Sequence, residues 1–181
     1  MMLSDKDIKT AIEKGEIMID PFDVISVGPC SVDLHLDSAF RVYHPGPPVD
    51  IHADRPLDEE TKLVNTGKDP FMILPGQFIL GQTIESISVS EGYAGLLEGR
   101  SSIARLGIIV HAAGLVNPGT GVDKPGRLTL EIFCENLSPV MLYPGMPIVQ
   151  IMFVPLSSRA GTGYDRRDSS RYVGQQHPDI D

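Results

Sequence analysis

Proline–glycine pairs punctuate this chain from residue 75 onward, at Pro75-Gly76, Asn117-Pro118-Gly119, Lys124-Pro125-Gly126 and Tyr143-Pro144-Gly145. Such pairs stop helices and favour tight turns, so they set an upper limit on the length of any regular element between them. The segments between them are short, apolar and rich in β-branched residues. Phe71–Leu74, Phe78–Glu85, Ile87–Val89, Tyr93–Leu97, Ile108–Ala112, Leu128–Phe133, Val140–Leu142 and Ile148–Val154 all read as strands. Upstream, Ser31 to Leu36 alternates Val32, Leu34 and Leu36 with Asp33 and His35, and Phe40 to Tyr43 follows as the next strand. One helix stands before them. Ser4 caps it, Asp5 and Asp7 sit in its first turn, Ile8, Ala11 and Ile12 form its apolar face, and it stops near Gly15. The expected class is mainly β: a sandwich, barrel or jelly roll.

With 181 residues, 41% of them hydrophobic, the chain can bury a core without covalent staples. No apolar run approaches a membrane span, and Met1–Lys14 has no secretory core. Cys30 and Cys134 lack CxxC spacing, which fits a reducing cytoplasm and argues against a cysteine-bound zinc. His35 and His44 have no ligand partner at useful spacing and read as structural or surface residues. The formal net charge of −9 argues against a nucleic acid polymer as partner. From His44 to Pro70 a polar, proline-rich excursion with two weak strand candidates crosses the surface. We expect a barrel domain over 1–156 and a polar tail over 157–181. By composition that tail reads as disordered; alternatively Tyr164, Arg166, Arg167, Arg171, Gln175 and Gln176 form a set of donors and a stacking ring that would suit an active-site lid.

Against this acidic background, Leu97 to Gly107 concentrates Arg100, Ser101, Ser102 and Arg105 at what reads as a strand end and a short helix near 100–106. Free backbone N–H groups, arginine forks and serine hydroxyls together suit an anion. The plain alternative is a surface helix with ordinary ion pairs. A second feature is Leu128-Thr129-Leu130-Glu131, where period-two alternation sets Thr129 and Glu131 on the face opposite Leu128, Leu130 and Ile132. Alone, Glu131 reads as an exposed charge; beside an anion site it becomes a candidate general base. A Walker loop, a GxGxxG turn, a GxSxG elbow and the H-x-E…P-C-x-x-C signature of zinc deaminases are all missing.

Gly99 to Gly107, Val110-His111, Asn117-Pro118-Gly119, Leu128 to Glu131 and Pro144-Gly145 closely resemble the dCTP deaminase branch of the dUTPase-like superfamily. The opening Leu3 to Ile8, Ile19 to Phe22, Pro29 to Leu34 and the closing Tyr164 to Gln175 resemble the same branch, in the same order. The resemblance implies a distorted β-barrel or jelly roll, a homotrimer with nucleotide sites between subunits, and magnesium carried on the triphosphate, with no zinc. By position, Arg100, Ser101, Ser102, Ile103, Ala104 and Arg105 would hold the triphosphate. Thr129, Leu130 and Glu131 would meet the pyrimidine. Asn117 would bond a deoxyribose hydroxyl, and Gln150, Tyr164, Arg171 and Gln175 would complete the pocket. Glu131 would act as base and then acid while water replaces ammonia at C4 of cytosine; Ser101 would place that water and Arg105 would orient the acid.

The implied activity is deamination of dCTP to dUTP, with dUMP and pyrophosphate as further products, since the opening segment and Gly114-Leu115 resemble relatives that perform both steps. The alternatives are a dUTP pyrophosphatase without deaminase activity and a non-catalytic nucleotide-binding trimer. Three departures bear on this choice. Asn117 stands where the family has Asp, which weakens phosphate-ester cleavage more than deamination. The turn from Gly119 to Gly126 is longer than usual, and Arg171 replaces a usual Lys.

Overall fold

The computed structural model describes residues 1–48, 60–111 and 114–178. Helix α1 (Asp5–Glu13) begins at a capping box, with Asp7 N donating to Ser4 Oγ and Ser4 N donating back to Asp7 Oδ2. The exchange satisfies two of the donors a helix start leaves over. Ile8 and Ala11 on its inner face are buried, as the apolar spacing predicts.

Among the described residues twelve strands follow, and every pairing among them is antiparallel. They are β1 (Ile17–Asp20), β2 (Val32–His35), β3 (Ala39–Tyr43), β4 (Thr61–Asn65), β5 (Phe71–Ile73), β6 (Phe78–Val89), β7 (Tyr93–Gly99), β8 (Ile108–His111), β9 (Leu115–Val116), β10 (Gly126–Cys134), β11 (Val140–Leu142) and β12 (Pro147–Pro155). A single helical turn, α2 (Ser101–Ala104), lies between β7 and β8. One sheet runs β4-β3-β6-β10-β8, with β1 also on β6; a second runs β2-β12-β7-β9; and β11 pairs with β5. The mainly β class is as expected, but the described strands form three separate ladders rather than one closed ring. Their inner faces meet in a continuous core that includes Leu34, Phe40, Ile79, Leu130, Ile132 and Phe153, each fully buried. Burial of a side chain of this size contributes about 1.5–3 kcal/mol.

The strand boundaries differ from the sequence reading in instructive places. Phe78–Glu85 and Ile87–Val89 are one strand, because Ser86 has backbone partners on both sides: Asp20 of β1 and Arg127 of β10. Strands β1 and β9 lie in stretches to which the sequence pattern assigns no strand, and cross-strand pairing rather than local pattern stabilises them. Strand β4 realises one weak candidate of the 44–70 excursion; residues 49–59 lie outside the described residues, as do 112–113, including the expected end of the strand at Ala112. Cys134 is buried, whereas Cys30 is exposed.

The ladder between β6 and β10 slips between Arg127 and Thr129. This bulge frees the Leu128 N–H, which donates to the hydroxyl of the fully buried Thr83 at 3.0 Å. A bulge re-aims the side chains that follow it. Here those are Thr129 and Glu131.

Candidate active site

A cavity of about 510 Å³ opens over the outer face of β10. Thr129 and Glu131 form its floor, opposite the core-facing Leu130 and Ile132, as the period-two pattern predicts. Asn117 comes from the loop after β9, and Tyr164, Tyr172 and Gln175 come from the tail. Five of the residues singled out from sequence therefore share one cavity: Asn117, Thr129, Glu131, Tyr164 and Gln175.

Glu131 is half-buried, and its Oε2 is shut away from solvent with no hydrogen-bond partner in the described chain. Burial pushes its carboxyl above the ordinary glutamate range; its own backbone N–H and the nearby His111 pull weakly in the other direction. His111 is its cross-strand partner on β8. An acid so placed holds its proton more tightly than in water, which suits it to exchange that proton with a substrate.

Tyr43 and Phe78 line the same cavity, with ring centroids 5.4 Å apart and planes tilted by 39°. Burial, followed by the charges of Glu131 and Tyr172, raises the Tyr43 hydroxyl, while Arg41 opposes this. Arg127 also lines the cavity, and its guanidinium is held by Asp37, whose Oδ2 accepts from Gln82 Nε2 as well. Sequence reasoning missed Tyr43, Phe78 and Arg127. Arg127 alone had a local signal, since it adjoins Leu128 to Glu131; the two aromatic rings come together only through the pairing of β3 with β6.

The tail lies along the sheets rather than projecting from them. Tyr164 N donates to Pro118 O at 2.8 Å, Arg127 N to Gln175 O at 2.8 Å, and the Thr129 hydroxyl to Gln175 Oε1 at 3.0 Å. Asp165 caps the loop after Gly119, accepting from Gly121 N and Asp123 N at 3.0 Å each. A tail whose composition suggests disorder is thus held by backbone and side-chain bonds from Arg159 to Pro178.

The predicted anion turn lies elsewhere. None of Arg100, Ser101, Ser102, Ile103, Ala104 and Arg105 lines the cavity. Ser101, Ser102, Ala104 and Arg105 are exposed, while Ile103 is buried and anchors α2 to the core. Arg100 pairs with Asp33 at 3.1 Å. Gln150 belongs to this second group: it faces Asp33 and Glu98 in register and accepts from Ser31 Oγ at 3.3 Å. Arg171 is exposed beside the cavity-lining Tyr172, and Leu130 is fully buried. The single chain thus separates the acid from the arginine–serine turn.

Comparison with known proteins adds an independent line. A family model described as dCTP deaminase-like matches residues 2–156. The chain is 43% identical, over 98% of its own length and 92% of the relative's, to a protein of Beutenbergia cavernae named dCTP deaminase, dUMP-forming. A Rhodococcus opacus protein of the same name is 41% identical over 98% of this chain and 94% of the relative. Among solved structures, a 2′-deoxycytidine 5′-triphosphate deaminase from Agrobacterium tumefaciens superposes with a TM-score of 0.63 at 23% identity. It covers 84% of this chain, which in turn spans 47% of the Agrobacterium chain, so this likeness concerns the fold.

Proposed function

The chain belongs to the dCTP deaminase-like family, and from that premise we propose that it deaminates dCTP and carries the product on to dUMP and pyrophosphate. The observation that carries the reading is Glu131: an acid on the floor of a nucleotide-sized cavity, with one oxygen buried and unpartnered and its proton affinity raised by burial. Water attacks C4 of the cytosine ring while Glu131 takes its proton. Glu131 passes that proton to ring N3 and then moves the proton of the new C4 hydroxyl to the amine, so the C4–N4 bond breaks, ammonia leaves and the uracil carbonyl forms. In the second step, water attacks the α-phosphorus and pyrophosphate leaves. Thr129 meets the pyrimidine edge together with the backbone of Leu130, whose side chain faces the core; Asn117 meets the deoxyribose hydroxyl, and Tyr164 and Gln175 close the pocket from the tail, which acts as its lid.

The exposed turn from Arg100 to Arg105 supports a homotrimer in which one subunit's turn completes a neighbour's cavity. Arg100, Ser101 and Ser102, with Ile103 and Ala104 as backbone donors, would then grip the triphosphate. Ser101 would place the attacking water, and Arg105 would orient the Glu131 oxygen that has no partner within the chain. Leu96 and its cross-strand partner Leu115 leave apolar surface exposed on β7 and β9, which also favours association. Gln150 and Arg171 complete the phosphate side. Magnesium enters on the phosphates as part of the substrate, and we assign water activation to the carboxylate, independent of zinc. No helix among the described residues is long and apolar enough to cross a membrane. The two free cysteines, Cys30 and Cys134, support our assignment of the enzyme to a reducing cytoplasm.

Incubation with dCTP and magnesium tests the reading. Released ammonia, with dUMP and pyrophosphate in the phosphorus NMR spectrum, is the expected result. Turnover of dUTP with dCTP untouched, or tight binding without turnover, would overturn it.

A further inference from the structure

Two basic side chains among the described residues line the cavity, Arg127 and Lys124. The first is held by Asp37. Lys124 is on the longer-than-usual turn between Gly119 and Gly126. Among the described residues its ammonium makes no ion pair or hydrogen bond, and the chain carries a net charge of −9. A cation left without a carboxylate in so acidic a molecule, at the wall of a cavity, is placed to meet an anion brought from outside.

Two contacts fix where Lys124 sits. Its backbone N–H points at Asp165 Oδ2 at 3.4 Å, beside the shorter bonds from Gly121 and Asp123 to the same carboxylate. Asp123 is further clamped by both Nε and Nη2 of Arg166, at 3.1 and 3.0 Å. The lysine stem then lies against Gly174. A Cβ at that glycine would come within 2.2 Å of Lys124 Cδ, 2.4 Å of Cγ and 2.8 Å of Cε. Gly174 also has a φ of +66°, so both its backbone and its missing side chain serve this arrangement. The tail holds the turn at one end and leaves a groove for the lysine at the other.

We propose that Lys124 is a substrate-binding residue that takes a phosphate oxygen of the nucleotide from the same subunit that supplies Glu131. The proposal rests on the nucleotide reading above. It adds a cation to the acid's own side of the site, where the arginine–serine turn of the same chain is absent. Gly174 acts through Lys124 as a positioning residue.

Steady-state kinetics of Lys124→Met in the full-length protein test this. A lost ammonium–phosphate contact should raise the KM for dCTP roughly tenfold while kcat stays within about twofold of wild type. Competitive inhibition by dUTP should weaken by the same factor, and inhibition by 2′-deoxyuridine, which has no phosphate, should not change. Lys124→Arg should restore most of the affinity. Gly174→Ala should raise the same KM by displacing the stem, and its effect should not add to that of Lys124→Met. An unchanged KM, or equal weakening of dUTP and deoxyuridine, would overturn the proposal. If the wild type leaves dCTP untouched, the function proposed above fails. Calorimetric binding of dUTP to wild type and Lys124→Met still decides the lysine's role in that event.

Discussion

The hydroxyl of Thr129 donates to Gln175 Oε1 across 3.0 Å, tying the strand that carries Glu131 to the last described segment of the chain. The neighbouring bond from Arg127 N to Gln175 O makes the tail at this point an added rung on β10. Substituting Gln175 by alanine removes the side-chain bond and leaves the backbone bond. The expected outcome is a KM for dCTP raised roughly tenfold with a stability loss of about 1 kcal/mol or less. Parallel kinetics and urea melts check both numbers.

Glu131→Gln should lower deamination at least about a hundredfold while nucleotide affinity stays within a few-fold. The raised proton affinity of Glu131 also gives pH predictions of definite sign. As a base it must be ionised, so kcat/KM should fall as pH drops through a point above the ordinary glutamate value near 4.3. For stability the direction is opposite. Between the unfolded and folded pKa values the native state binds more protons, so stability falls as pH rises through that window, and the cost persists above it. At pH 7 the Gln variant should therefore melt at or above the wild-type temperature. Its advantage should vanish below the unfolded pKa, which thermal melts from pH 4 to 8 would show.

Asn117 lines the cavity but carries no charge. Asn117→Asp would restore a carboxylate able to polarise water near the phosphates. We expect turnover of dUTP to dUMP to rise by roughly tenfold, within the range of general base catalysis. Deamination of dCTP should change by less than about threefold, because Glu131 performs that step. Phosphorus NMR of the two reactions, run side by side, measures both.

Gly119 packs directly on the tail. Its φ is +79°, and a Cβ there would fall 2.3 Å from the Cα of Gly163. Gly119→Ala should cost about 1–3 kcal/mol through backbone strain and a displaced tail. Limited proteolysis within 157–178 should accelerate accordingly. Gly161→Ala is the control: open space surrounds it, its φ is not positive, and both readouts should match wild type.

What the chain declares locally came through intact. The Ser4 cap, the turn-bounded strands and the outward face shared by Thr129 and Glu131 depend on residues within four positions of one another, so periodicity and turn chemistry determine them. The tail was half legible: its donors were visible, but composition could not reveal that Pro118, Thr129 and Arg127 would hold it. Tertiary structure alone decided the rest. Arg127 meets Asp37 across 90 positions and the Asp165 carboxylate closes a loop 41 to 44 positions away. The same holds for the separation of Glu131 from the Arg100–Arg105 turn. These depend on which strands pair and where the β6–β10 ladder slips, and that choice is made by burial of the whole core, which no local window of sequence contains.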